Sequence, residues 1–211
     1  MKVIIVAGGT PPSKELLLEA VKDAECIIAA DKGTEVLLTN NIVPDYVLGD
    51  FDSIDKKFLD DLSLKEVNVI KHNPIKDFTD TDSAFNKALE LKAKEITLLG
   101  CTGTRIDHLF SNIGLLKKAL ENNVLCKIID DNNVIQLTNK PMTFKGKRGQ
   151  LISFYAYEEV VEDFSIYGAK YELFKHKLIP FDGLTVSNEF LDGDINITFN
   201  KGLVLIFFSK D

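Results

Sequence analysis

A chain of 211 residues has room for one large domain or two small ones, each with its own core. Hydrophobic content of 45% beside 27% charged residues is that of an ordinary soluble globular protein, and no repeat or low-complexity linker interrupts it. The formal charge of -7, without a basic run, argues against a nucleic-acid binder that works by neutralising phosphates and suits a cationic or metal-bound substrate better.

The opening residues 1–9 are too short to span a membrane and run into a glycine turn, so they read as a first strand rather than a signal peptide. No other stretch approaches spanning length, and the cytoplasm is the expected compartment. Residues 14–22 read as a helix, 26–30 as a strand, 34–40 as a helix ending before Pro44, and 46–48 and 67–70 as strands. Over residues 79–92, Ala84, Phe85, Ala88 and Leu89 share a helical face, with Thr79 and Asp82 spaced as a capping pair. A strand at 95–99 leads to a helix whose Ile106, Leu109, Phe110, Ile113, Leu116 and Leu120 form an apolar stripe, and 124–129 is a further strand. Strands alternating with helices predict a doubly wound, mostly parallel α/β sheet for residues 1–137.

The pattern changes after about Gln136. Runs at 151–156, 163–167, 171–174, 195–199 and 203–209 are rich in β-branched and aromatic residues and separated by glycine-bearing turns. They predict an all-β sandwich or barrel for residues 138–211. Cys26, Cys101 and Cys126 are far apart, without metal-ligand spacing, which argues against a disulfide framework and a zinc site; Cys26 and Cys126 read as small core residues.

Chemistry concentrates in three acidic groups, each where a strand gives way to a loop or helix: Gly49-Asp50-Phe51-Asp52-Ser53, Asp77-Phe78-Thr79-Asp80-Thr81-Asp82 and Gly103-Thr104-Arg105-Ile106-Asp107-His108. In an open α/β sheet such positions converge on the crevice at the carboxyl ends of the strands. Close carboxylates repel unless a cation lies between them, and Mg²⁺ is held by one or two carboxylates plus phosphate oxygens. Turn formation or helix capping also accounts for one or two of these acids, but three within six residues exceed that need. Asp77 and Asp80 either share a helical face or flank a loop. Gly100 and Gly103 permit an anion to approach a helix start, and Arg105 offers a forked donor to phosphate, although neither a Walker A loop nor a dinucleotide fingerprint is present.

Taken in order, these groups resemble the thiamine pyrophosphokinase family. Ala30-Asp31-Lys32-Gly33 is similar to its Ala-Asp-Gly-Gly element, Gly49 to Ser53 to its Gly-Asp-x-Asp-Ser, and Asp77 with Thr79-Asp80 to its Asp-x-Thr-Asp. Gly103, Arg105, Asp107, His108 and Asn112 resemble its Gly-Gly-Arg-x-Asp-His followed by Asn. The Gly183 to Phe190 segment resembles the Ser-Asn segment near its thiamine pocket, and Gly202 to Ile206 its final strand. Lys32 and Thr104 each replace a family glycine; Lys32 either alters the approach to the nucleotide or adds a cation near phosphate.

The resemblance implies Mg²⁺-dependent transfer of pyrophosphate from ATP to the hydroxyl of thiamine, in a homodimer acting on small molecules, with no nucleic-acid or membrane partner. It implies Asp50, Asp52 and Asp80 as metal ligands with Asp77 assisting, Arg105 on phosphate, and Asp107 or His108 orienting or deprotonating the alcohol. Asp31, Thr79, Gly103 and Asn112 join the nucleotide site, and Ser187, Asn188 and Phe190 the thiamine site. A pyrophosphokinase for another hydroxyalkyl heterocycle and a non-catalytic nucleotide- or thiamine-binding protein are the alternatives.

Overall fold

A computed structural model describes residues 1–51, 67–71, 77–103 and 105–210. The chain divides into two compact units, Met1–Asp131 and Asn132–Asp211. The boundary expected at 137/138 falls at the end of a strand, Asn133–Thr138, which belongs to the second unit.

The first unit follows the alternation in the sequence: β1 (Lys2–Val6), α1 (Lys14–Val21), β2 (Cys26–Ala30), α2 (Gly33–Thr39), β3 (Tyr46–Gly49), β4 (Asn68–Lys71), α3 (Asp80–Glu90), β5 (Glu95–Leu99), α4 (Ile106–Glu121) and β6 (Leu125–Ile129). The strands lie in the order β6-β5-β1-β2-β3-β4, with every pairing parallel. The chain builds outward from β1 to β4, then returns to the other side of β1 for β5. That reversal, between β1 and β5, is the topological switch point of the sheet.

Side chains alternate across each strand, so both faces need cover. Ile4 and Val6 of β1 and Ala29 of β2 pack with Leu17 of α1 and with Leu37 and Leu38 of α2. Helix α3 packs against β1, β2 and β3 through its buried Ala84, Phe85 and Ala88. One expected stripe is only half buried. Leu116 of α4 is in the core, whereas Ile106 and Phe110 in its first turns are 64% and 61% exposed.

The second unit is a sandwich. One layer contains β12 (Asn188–Glu189), β9 (Leu151–Ala156), β14 (Val204–Ser209) and β7 (Asn133–Thr138), in that order, and the other β11 (Leu173–Leu178), β10 (Val161–Tyr167), β13 (Ile195–Thr198) and β8 (Met142–Phe144). Every pairing within these layers is antiparallel. Inward-facing aromatic residues join the layers: Phe154 of β9 lies 5.7 Å, centroid to centroid, from Phe164 of β10 and 5.9 Å from Phe144 of β8. Such ring pairs add about 0.5–1.5 kcal/mol each beyond the area they bury.

Candidate active site

The carboxyl ends of β1, β2 and β5 and the starts of α3 and α4 surround a pocket of about 580 Å³. Ala7 to Thr10 follow β1, Asp31 and Lys32 follow β2, and Gly100 to Gly103 follow β5. Thr79, Asp80 and Thr81 come from the start of α3, and Arg105, His108 and Asn112 from α4 and its leading residue.

Backbone bonds beyond the ends of β1 and β5 shape the floor. The amides of Ala7, Gly9 and Thr10 donate to the carbonyls of Leu99, Gly100 and Thr102 at 2.8, 2.7 and 2.7 Å, so the two loops continue as a zipped pair. Glycine is required for so close an approach: a Cβ on Gly9 would sit 2.2 Å from the Thr102 carbonyl oxygen. Gly100 has φ +64°, a left-handed conformation, and a Cβ there would lie 2.3 Å from the Ala7 oxygen. Asn112, buried in α4, donates its Nδ2 to the Cys101 carbonyl at 2.8 Å and ties the β5 loop to the helix.

The walls carry the polar chemistry. Asp31 turns the chain out of β2 with φ +50°, a conformation aspartate tolerates better than most residues. Thr79 is the N-cap of α3, accepting from the Asp82 amide at 3.1 Å, as its spacing predicts; this presents Asp80 in the first turn and at the pocket. Asp82 turns instead to Lys118 of α4, at 2.8 Å, which holds the two helices together. Asp77 is exposed ahead of the helix, so the loop arrangement holds rather than a face shared with Asp80. Asp50 follows β3, and neither Asp50 nor Asp77 lines the pocket. Asp52, Ser53 and Thr104 lie outside the described residues.

Arg105 and His108 both line the pocket. The Arg105 guanidinium forks onto Asp107, Nε to Oδ1 at 3.3 Å and Nη2 to Oδ2 at 2.6 Å. This hydrogen-bonded pairing holds the Asp107 carboxyl below the usual carboxylate range and raises Arg105 above its ordinary value. Both groups are more than half exposed, so an incoming phosphate can compete for the arginine. Cys101 also lines the pocket, but burial pushes its thiol far up and leaves it protonated; it is no nucleophile.

Among the described residues, no group of three His, Cys, Asp or Glu side chains is placed to hold a metal ion. The acids that are present nonetheless suit Mg²⁺, which takes hard oxygen donors and completes its shell with phosphate oxygens and water rather than needing a protein cage.

The Gly183 to Phe190 segment departs from expectation. Phe190 is fully buried in the core of the sandwich and stacks on Phe208 with centroids 6.4 Å apart, so it offers no face to a ligand. Asn188 is 3% exposed; its Nδ2 donates to the Tyr171 carbonyl and its Oδ1 accepts from the amides of Tyr171 and Glu189. That amide is a structural clip rather than a ligand contact. Ser187 is exposed, with φ +55°.

The matches to known families divide the chain at the same place as its architecture. Residues 17–128 match the family described as "Thiamin pyrophosphokinase, catalytic domain". Residues 135–204 match "Thiamin pyrophosphokinase, vitamin B1 binding domain". The chain belongs to the thiamine pyrophosphokinase family. It is 32% identical over 215 residues to a Bacillus subtilis (strain 168) protein named thiamine pyrophosphokinase, with 100% of both chains covered. The crystal structure of thiamine pyrophosphokinase from Bacillus subtilis superposes with a TM-score of 0.90 at 32% identity, covering 100% of each chain. That from Geobacillus thermodenitrificans gives 0.87 at 30% identity, over 100% of this chain and 98% of the other. The thiamin pyrophosphokinase of Candida albicans, 17% identical, shares the fold with a TM-score of 0.86 over 99% and 89% of the two chains.

The pocket also contains residues that the sequence motifs do not include. Gly9, Thr10 and Thr102 build the pocket floor of this thiamine pyrophosphokinase family member, yet the glycine turn after β1 read only as the end of a strand. Its position after the first strand of an alternating α/β pattern was the available signal.

Proposed function

We propose that this chain transfers a pyrophosphoryl group from ATP to the hydroxyethyl oxygen of thiamine, with Mg²⁺, giving thiamine diphosphate and AMP. The observation that carries this reading is the pocket at the switch point between β1 and β5, walled by Asp80, Arg105 and His108, in a chain of this family.

In the transfer, the alcohol oxygen forms a bond to the β-phosphorus while the bond from that phosphorus to the bridging oxygen breaks. AMP leaves with the electron pair. The alcohol proton must also depart. Negative charge moves toward the α-phosphate, so the protein's task is positioning and charge stabilisation across the phosphate chain. Asp50, Asp52 and Asp80, with Asp77 assisting, would hold Mg²⁺, which when bound neutralises phosphate charge and orients the β-phosphoryl group. Arg105 exchanges Asp107 for phosphate oxygens. His108 lines the pocket while Asp107 is engaged with Arg105, which favours His108 as the residue that orients the alcohol or accepts its proton. Asp31 and Thr79 shape the nucleotide end, and Gly103 and Asn112 line it, Asn112 holding the β5 loop to α4.

The acceptor is assigned to the β unit, whose family is described by vitamin B1 binding, with Ser187 as the exposed polar residue of the Gly183 to Phe190 segment. AMP release from ATP and Mg²⁺, followed together with thiamine diphosphate, tests the reading. Thiamine-dependent AMP matched one-to-one by product is expected; AMP independent of thiamine, or product only with another hydroxyalkyl heterocycle, would overturn the assignment of the acceptor.

A further inference from the structure

A nucleotide polyphosphate entering this pocket meets the carboxylates of Asp31 and Asp80 in its walls. Glycine-rich loops that hold phosphate commonly do so with backbone N–H groups. Here the amides of Ala7, Gly9 and Thr10 are spent on the carbonyls of the β5 loop. With those three amides engaged, side chains are left to add positive charge beside the metal. Arg105 is engaged with Asp107, and Lys118 with Asp82.

Lys32 is different. It follows β2, lines the pocket and is exposed, and its ammonium makes no hydrogen bond or ion pair among the described residues. Its backbone carbonyl is used, accepting from Glu35, which fixes the residue at the entry to α2. Opposite it lies Gly8: a Cβ built there would come within 3.1 Å of the Lys32 Cβ. Glycine at position 8 thus leaves room for the lysine stem to run beside the β1 loop.

We propose that Lys32 is a polyphosphate-binding residue of this pocket, a positive charge that sets affinity for the nucleoside triphosphate rather than the rate of transfer. The proposal rests on the pocket being the nucleotide site. A lysine head on a flexible stem is a point charge that adapts to whichever phosphate oxygens present themselves, and it holds ground state and transition state alike.

The test is calorimetric titration of the wild type, Lys32→Met and Lys32→Arg with α,β-methylene-ATP, whose carbon bridge blocks the transfer, and with AMP, both in the presence of Mg²⁺. Lys32→Met is expected to weaken the methylene analogue about tenfold, while AMP changes much less and Lys32→Arg restores most of the loss. In turnover, KM for ATP rises and kcat holds. Equal binding of the analogue by the wild type and Lys32→Met would overturn the role of Lys32 and leave the nucleotide site standing. An equal loss for AMP and the analogue would make Lys32 a shaper of the pocket, also against the proposal. No binding of the analogue by the wild type would remove the nucleotide site and Lys32 with it. Matching thermal melts of the three proteins establish that the exposed substitution leaves the fold intact.

Discussion

Two segments of this chain present similar polar and aromatic residues and use them in opposite ways. In the α/β unit, Asp80, Arg105 and His108 stand in loops and first helical turns at the strand ends, facing a pocket. In the β unit, Asn188 and Phe190 resemble ligand-binding residues in sequence but are absorbed by the sandwich, one as a clip on the backbone and one as core. The difference is physical. A parallel sheet leaves its strand ends open at the switch point, whereas an antiparallel sandwich closes its interior with the side chains that alternate inward.

Phe190→Ala should sharpen the contrast most, by destabilising the protein by about 3–5 kcal/mol in urea unfolding, because it opens a cavity under Phe208. A loss under about 1 kcal/mol would show that the ring is not core. Asp80→Asn should do the reverse: turnover falls roughly 100–1,000-fold while stability changes by less than about 1 kcal/mol, the worth of an acid in a first helical turn. Unchanged turnover would break the comparison.

Intermediate effects follow from the backbone. Gly100→Ala, at φ +64° and pressed on the Ala7 carbonyl, should cost about 1–3 kcal/mol and loosen nucleotide binding together, since one zipped pair of loops serves both. Asn188→Ala should cost about 1–3 kcal/mol by removing the buried amide that clips the Tyr171 and Glu189 backbone groups. A raised thiamine KM without any loss of stability would return Asn188 to the ligand site.

The smallest effect concerns Asp107. Its native carboxyl titrates below the unfolded value because Arg105 hydrogen-bonds to it. The stabilisation is therefore present above the unfolded pKa of about 4 and is lost as pH falls through the lowered native value. The melting temperature of Asp107→Asn should lie slightly below that of the wild type at neutral pH, with the gap closing in acid. A gap that widens in acid would contradict the pairing.

Much of this was legible in the sequence. Residues 26–30, 95–99 and 151–156 carry strand signals and are β2, β5 and β9 with those bounds, because compact β-rich runs flanked by turn signals have few alternatives. Thr79 as a cap follows from spacing within one helical turn. What escaped depends on contacts between distant segments. Strand β7 carries β-branched residues but lies where the pattern changes near Gln136, and β8 is three residues long; both acquire their roles beside Val204–Ser209 and Ile195–Thr198. The Gly9 loop becomes a pocket floor only when β5 returns beside β1, an order no local pattern encodes. Burial of Phe190 is likewise a tertiary fact, because an aromatic residue beside a turn is equally suited to a ligand or a core.

The central claim is that the nucleotide binds at the switch point between β1 and β5. Amide chemical-shift mapping of the wild type with α,β-methylene-ATP and Mg²⁺ tests it most directly. The account predicts that the largest shifts fall on Gly8 to Thr10, Asp31, Lys32 and Gly100 to Gly103. Shifts confined to the β unit, with those loops unmoved, would contradict it.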